Sequence, residues 1–191
     1  MSLHGPFVYR KAVRYNIPGH VHFYTFSCYQ RLPLLTNELW RQWLAESIAH
    51  AQQKLEVDLW AYVFMPEHVH LLLHPRREKY SISAFMQLAK YPMARRVVNS
   101  LKKCGSPLLE KLKVVGRDGA VEYRYWQPGG GHDLNIWNMK KAIEKAEYCH
   151  WNPLKRRLVK APEQWRWSSF RWLVNGVRDG EQMRVDDWVE A

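Results

Sequence analysis

The stretch that most restricts this chain is FMPEHVHLLLHP, residues 64–75. Two prolines bracket a run whose side chains alternate in kind. Successive residues of a strand point to opposite faces, so residues two apart share a side. Read as a strand, the run places His68, His70, Leu72 and His74 on one face and Val69, Leu71 and Leu73 on the other. The second face suits packing beneath helices. On the first, the imidazoles of His68 and His70 converge and can reach a single metal ion. His-x-His alone leaves the matter open, because metallohydrolases and cupins carry it too and buried histidines are commonly satisfied by backbone. Neither HxHxDH nor HExxH occurs, which counts against zinc hydrolases of those kinds. His74, beside Pro75, is expected to face solvent.

The neighbouring segments supply partners for such a strand. Residues 20–30, HVHFYTFSCYQ, are rich in aromatic and β-branched side chains and read as a strand. TNELWRQWLAESIAHAQQKL repeats Leu39, Trp43 and Ile48 at helical spacing, with Thr36 as its N-cap. VDLWAYVFMP is a second strand, stopped by Pro66, and HVHLLLHP a third. SISAFMQLAKYPMARRVVNSLKK reads as a helix opened by Ser81 or Ser83, which Pro92 should kink or break. EYRYWQ reads as a short fourth strand and PGGGHDLN as a loop. NIWNMKKAIEKAEYCHWN is a further helix, ended at Asn152-Pro153. The order β-α-β-β-α-β followed by a helix predicts an α+β chain of the ferredoxin-like split-βαβ kind. Its antiparallel sheet should carry helices on one face, plus that last helix. The expected division is a basic N-terminal arm at 1–19, a domain at 20–160, and a tail at 161–191 packed on the same domain.

In the last helix, Met139, Ala142, Ile143, Ala146 and Cys149 or His150 form the expected core stripe. Tyr148 falls off that stripe, among Glu144, Lys145, Trp151 and Asn152. A tyrosine among lysines is placed either for chemistry or to cover the sheet edge. Asn152, one turn on, ends the helix before Pro153, and its amide oxygen is also a reasonable ligand for a hard divalent cation.

The chain has 191 residues, 47% of them apolar, which suits one globular domain. Its net charge of +11 points to a polyanionic partner, most commonly nucleic acid. Arg10, Lys11 and Arg14, then Arg95 and Arg96, then Lys141 and Lys145, then Lys155 and Arg156 are spread so that they could track a phosphate backbone. Tyr9 and Tyr15 are candidates for stacking on unpaired bases. The three cysteines have no CxxC spacing, which removes support for zinc fingers and suits a reducing cytoplasm. The first twenty residues contain no apolar signal-peptide core, and no apolar run approaches the ~20 residues of a membrane helix.

MPEHVHLLL, YWQPGGGHDLN, AEYCHWNPLKRRLV and PEQWRWSSF occur in that order. Together they resemble the REP-associated tyrosine transposases, within the single-tyrosine HUH transposase superfamily. The resemblance runs over nearly the whole chain, to Phe170. It implies a ferredoxin-like fold and single-stranded DNA hairpins as partner. It implies Mg²⁺ or Mn²⁺ held by His68 and His70, with Asn152 at the position of the completing ligand. It implies Tyr148 as the nucleophile, a 5′-phosphotyrosine intermediate, and a protein able to act as a monomer, with a dimer as the other possibility. Tyr91, Tyr123 and Tyr125 lack the Asn-Pro context of Tyr148. Ser168 and Ser169 have no partner near in sequence and are given no catalytic role. Trp165, Trp167 and Trp172 are expected to pack over the core. The competing reading is a non-catalytic basic nucleic-acid-binding module of ferredoxin-like fold, which would bind RNA through sheet aromatics. It lacks a GFGFV-like stretch. A small-substrate metallohydrolase would need further ligands.

Overall fold

The alternation seen in the sequence becomes a sheet with two unlike faces. The computed structural model describes residues 14–176, 183 and 185–188. Along the chain run β1 (Val21–Ser27), α1 (Glu38–Leu55), β2 (Val57–Phe64), β3 (His68–Pro75), α2 (Ile82–Lys103) and α3 (Leu108–Leu112), then β4 (Lys113–Val115), β5 (Val121–Tyr123), β6 (His132–Ile136), α4 (Met139–Lys155) and α5 (Phe170–Asn175). The main sheet has the order β2-β3-β1-β6, with every neighbouring pair antiparallel. This is the expected split-βαβ arrangement. Helices α1 and α2 cover one face and α4 crosses the other.

The first face carries most of the core. Tyr24, Phe26, Tyr62, Phe64, Val69, Leu71 and Leu73 from the strands meet Leu44, Ile48, Phe85 and Val97 from α1 and α2. Burying each large apolar side chain contributes roughly 1.5–3 kcal/mol. The second face is smaller: Val21, Phe23, Ala61, Val63 and Leu72 meet Ala142, Ala146 and Cys149 of α4. Small residues on α4 let that helix sit close to the strands. Ile143, expected in this stripe, is 46% exposed.

Strand β2 is buried at every position, so its sequence hides a change of phase. Its register against β3 shifts between Leu59 and Ala61. Val57 and Leu59 face α1 and α2, and after the bulge Tyr62 and Phe64 return to that side. Trp60 is left on the α4 face, where His74 stacks on it at 4.6 Å. His74 is therefore half-buried rather than facing solvent.

Several boundaries differ from the sequence reading. Helix α1 is capped by Asn37, which accepts from the Trp40 N–H at 3.2 Å, while the Thr36 hydroxyl donates to the Pro33 carbonyl. Ser81 caps α2 as expected, accepting from Ala84. Pro92 lies inside α2 without breaking it. A helix held by packing on both sides of a proline tolerates the one missing N–H. Helix α4 likewise runs past Pro153 to Lys155, which keeps Asn152 in helical register with Tyr148. The fourth strand of the sheet is β6, taken from the segment read as a loop, whereas Val121–Tyr123 forms a two-stranded ribbon with β4. The glycine signal ends at Gly131. There φ is +91°, and a Cβ would collide with the Thr25 carbonyl, so the chain passes tightly over β1 before the strand begins.

Trp167 is buried and stacks on Phe64 at 5.4 Å, in line with a packing role. Trp188 stacks on Trp60, and the Asp186 carboxylate accepts from the Leu59 N–H at 2.9 Å. Cys28, Cys104 and Cys149 are free thiols. Among the described residues no helix is long and apolar enough to cross a membrane.

Candidate active site

His68 and His70 of β3 lie side by side on the α4 face, both buried. Their Nε2 atoms are 3.0 Å apart. Behind each ring, a second bond fixes the tautomer. The His68 Nδ1–H donates to the Glu67 carboxylate at 2.9 Å. Nδ1 of His70 is 2.7 Å from the hydroxyl of Thr25, its direct cross-strand partner. The Asn152 amide nitrogen is 3.1 Å from His70 Nε2 and donates to it, which leaves the His70 proton on Nδ1. Both Nε2 atoms then present lone pairs to one space.

Burial keeps these rings neutral. Desolvation pushes the His70 pKa down to about 3, with the charges of His68 and Lys145 acting the same way. Desolvation also lowers His68, against the raising effect of Glu67. Burial raises the Glu67 carboxyl, but the bonds from Arg156 and His68 outweigh it and hold the group ionised below its usual range. Neutral imidazoles with unprotonated Nε2 atoms are the form that binds metal, once the Asn152 N–H gives up its place on His70. Two ligands about 2.1 Å from an octahedral ion and at right angles to each other are about 3.0 Å apart, which the observed pair matches. Turning the Asn152 amide over would present its oxygen to the same space. Among the described residues there is no group of three or more His, Cys, Asp or Glu able to hold a metal. The donor set is thus two imidazoles and one amide, which leaves the other positions of an octahedral ion to oxygen ligands from elsewhere.

Tyr148 stands over this pair. Its ring meets His70 edge-on at 5.3 Å and Phe23 at 5.9 Å, and Phe23 in turn stacks on His70 at 5.3 Å. Tyr148 is 42% exposed, so the phenol is supported beneath and open above. Lys145 and Lys155, one turn before and two turns after, hold their ammonium groups 5.9 and 5.7 Å from the ring centre. Helical spacing alone explains the assembly, since residues 145, 148, 152 and 155 share one face of α4.

The remaining basic candidates are spread more widely. Arg156 pairs with Glu67 and so braces the histidine site from behind. Lys141 pairs with Glu144 at 2.9 Å. Arg14 is engaged internally with Ser83, Tyr24 and the Gly130 carbonyl. Arg95 and Arg96 lie on α2, on the opposite side of the sheet, and Arg96 pairs with Glu46 across Trp43. Arg10, Lys11 and Tyr9 lie outside the described residues. Two supporting residues escape the sequence reading. Thr25 has no local signal, because its partner is set by strand register. Strict alternation puts Glu67 on the opposite face, but it belongs to the β2–β3 turn, where alternation does not hold.

A ferredoxin-like sheet with paired histidines under a tyrosine-bearing helix can now be set beside known proteins. Residues 17–111 match the family model of IS200-like transposases, a span that includes His68 and His70. The structure of a REP-associated tyrosine transposase bound to a REP hairpin is similar over 95% of this chain and 94% of that chain, with a TM-score of 0.65 and 22% identity. A Deinococcus radiodurans R1 protein assigned as a transposase shares 18% identity over 73% of this chain and 94% of that chain, with a TM-score of 0.44. No curated protein matches significantly. Over residues 17–111 the chain is thus similar to the IS200-like transposases, and its fold is that of the REP-hairpin-bound structure.

Proposed function

We propose that the chain cleaves and rejoins single-stranded DNA at repeat-derived hairpins, with Tyr148 as nucleophile and His68, His70 and Asn152 as the seat of Mg²⁺ or Mn²⁺. The observation that carries this reading is the Tyr148 ring set 5.3 Å from His70, over two Nε2 atoms 3.0 Å apart. A divalent ion seated there would polarise the scissile phosphate as a Lewis acid. Mixed nitrogen and oxygen donors suit Mn²⁺ somewhat better than Mg²⁺.

The protein's own groups do the rest. The Tyr148 oxygen forms a bond to phosphorus as the bond to the 3′ oxygen breaks. The phenolic proton leaves to solvent, and the released 3′ oxygen takes one up. A phenol with a reference pKa of about 10 needs help to act as a nucleophile. Lys145 and Lys155 supply positive charge beside it. The phosphodiester energy is retained in the phosphotyrosine, so another 3′-OH can reverse the step without ATP. Glu67, Arg156 and Thr25 hold the imidazoles in orientation.

The likeness to the REP-hairpin-bound structure, together with the +11 charge, supports a hairpin substrate. A non-catalytic module that reads RNA on an open sheet is less compatible with the fold, because helices cover both faces. Labelled hairpin DNA from repeats flanking the gene, incubated with the protein and Mn²⁺, should give a covalent band on a denaturing gel. The band should vanish with chelator and in Tyr148→Phe and His70→Ala. Tight hairpin binding with no band under any metal would overturn the reading.

A further inference from the structure

On the α2 side of the sheet lies a cavity of about 380 Å³ that the proposed chemistry does not use. Lys90 lies along its wall, with its ammonium 5.1 Å from the Phe26 ring centre and 5.7 Å from that of Trp126. Among the described residues no carboxylate pairs with it. Burial, aided by the charge of Arg14, lowers its pKa to about 8. A desolvated cation against two rings without a counter-ion is costly unless an anion visits it. Arg14 and Arg124 line the same cavity, so its polar wall is cationic. Arg14 is fixed by the Ser83 hydroxyl and the Gly130 carbonyl, and Arg124 is paired with Glu122 only at 3.5 Å. Tyr91, Tyr125 and Trp126 add aromatic surface to the lining. Trp126 is anchored by its N–H to the Lys90 carbonyl at 3.0 Å, and Tyr91 is 68% exposed.

We infer that this cavity is a subsite for one unpaired nucleotide of the DNA strand, with its phosphate on Lys90 and its base against Trp126 and Tyr91. The inference rests on the single-stranded DNA reading for the identity of the occupant. The chemistry combines the two things a single strand offers, an anionic backbone and a flat base. The position also fits. Thr25 and Phe26 are neighbours on β1: Thr25 bonds His70 on one face, and Phe26 lies under Lys90 on the other. Strand β6 pairs with β1 only as far as Thr25, and beyond it Trp126 bridges Cys28 while the Gln127 N–H donates to the Ser27 carbonyl. A strand of DNA crossing that segment would touch both places.

The test uses the full chain and a single-stranded oligonucleotide about ten nucleotides long that carries 5-iododeoxyuridine. Ultraviolet cross-linking should label the peptides of Tyr91 or Trp126. Lys90→Met keeps the apolar stem, and Tyr91→Ala alters an exposed ring. Each should weaken binding about tenfold, measured by fluorescence anisotropy, with thermal unfolding unchanged for Tyr91→Ala. Cross-links confined to other regions, no binding by the wild-type chain, or wild-type affinity in both variants would overturn the subsite. The Tyr148 adduct is read in parallel. An intact adduct with no effect of either variant removes only the subsite. Pocket cross-links without any adduct leave the subsite standing and remove the proposed chemistry.

Discussion

The two faces of β3 are built from one alternating run and meet different surroundings. Val69, Leu71 and Leu73 are wholly buried against α1 and α2 in the larger core. His68 and His70 are almost as buried, yet every ring nitrogen has a polar neighbour: Glu67, Thr25, Asn152 or the other imidazole. Burial alone therefore does not separate packing from function in this chain. What separates them is where the polar atoms point. On one side nothing polar projects from the strand. On the other, two Nε2 atoms converge beneath an exposed tyrosine, where helix α4 approaches on small residues.

If that division is real, the two faces should fail differently. The largest effect belongs to the tyrosine. Tyr148→Phe should lower covalent adduct formation by about 10³-fold or more while leaving stability and hairpin affinity near wild type. An adduct formed at the wild-type rate would transfer the role to another side chain. Next in size is the packed face. Leu71→Ala removes a fully buried side chain and should cost about 2–5 kcal/mol in urea unfolding. His70→Ala, one residue away, should cost only about 1–2 kcal/mol and yet abolish the adduct. Equal destabilisation by the two would make the histidine a core residue like its neighbours.

How far the sequence could show this depends on the periodicity of each element. The histidine face, the helix carrying Tyr148 and the placement of Asn152 one turn later are local relations, readable from periods of two and 3.6. Features that depend on distant partners were not readable. Strand β6 hid behind three glycines, because an edge strand of five residues has little apolar signal. The bulge at Trp60 could not be seen in a strand that is apolar at nearly every position and buried throughout. Thr25 is placed by β1–β3 register and Arg156 by the end of α4, so neither announces itself as support for the histidines. The basic residues form a third case. Charge is visible in sequence, but its distribution between faces is not, and Arg95 and Arg96 fall on the side away from Tyr148.

A pH titration sharpens the same contrast, because only one face carries titrating histidines with large shifts. Burial lowers His70 to about 3 and His150 to about 4. In the unfolded chain both return to about 6.5. Below that value the unfolded state binds protons that the folded state refuses, so stability is present above pH 6.5 and is lost as pH falls. In the presence of chelator, each of these histidines should account for about 2 kcal/mol of lost stability between pH 7 and pH 5. Proton NMR of the His70 ring should show no midpoint in that interval. A midpoint near 6.5 would mean that the α4 face is wet and that its histidines are ordinary surface groups.

The smallest expected effect tests the support behind the ligands. Glu67 accepts the His68 Nδ1–H and is itself held by Arg156. Glu67→Gln keeps the size and an acceptor oxygen but removes the negative charge that makes the imidazole a stronger donor to metal. Loss of such an outer partner typically lowers metal affinity 10–100-fold, and the conservative change should lie near the lower bound, about tenfold for Mn²⁺ by calorimetry. The fold should be unaffected, since the turn that carries Glu67 is fixed by backbone bonds from Cys28 and Leu35 to the carbonyls of Glu67 and Pro66. Adduct formation should recover at raised Mn²⁺, because the variant weakens occupancy without removing a ligand or the nucleophile. A defect that excess Mn²⁺ does not relieve would place Glu67 nearer the reacting phosphate than its bond to His68 indicates.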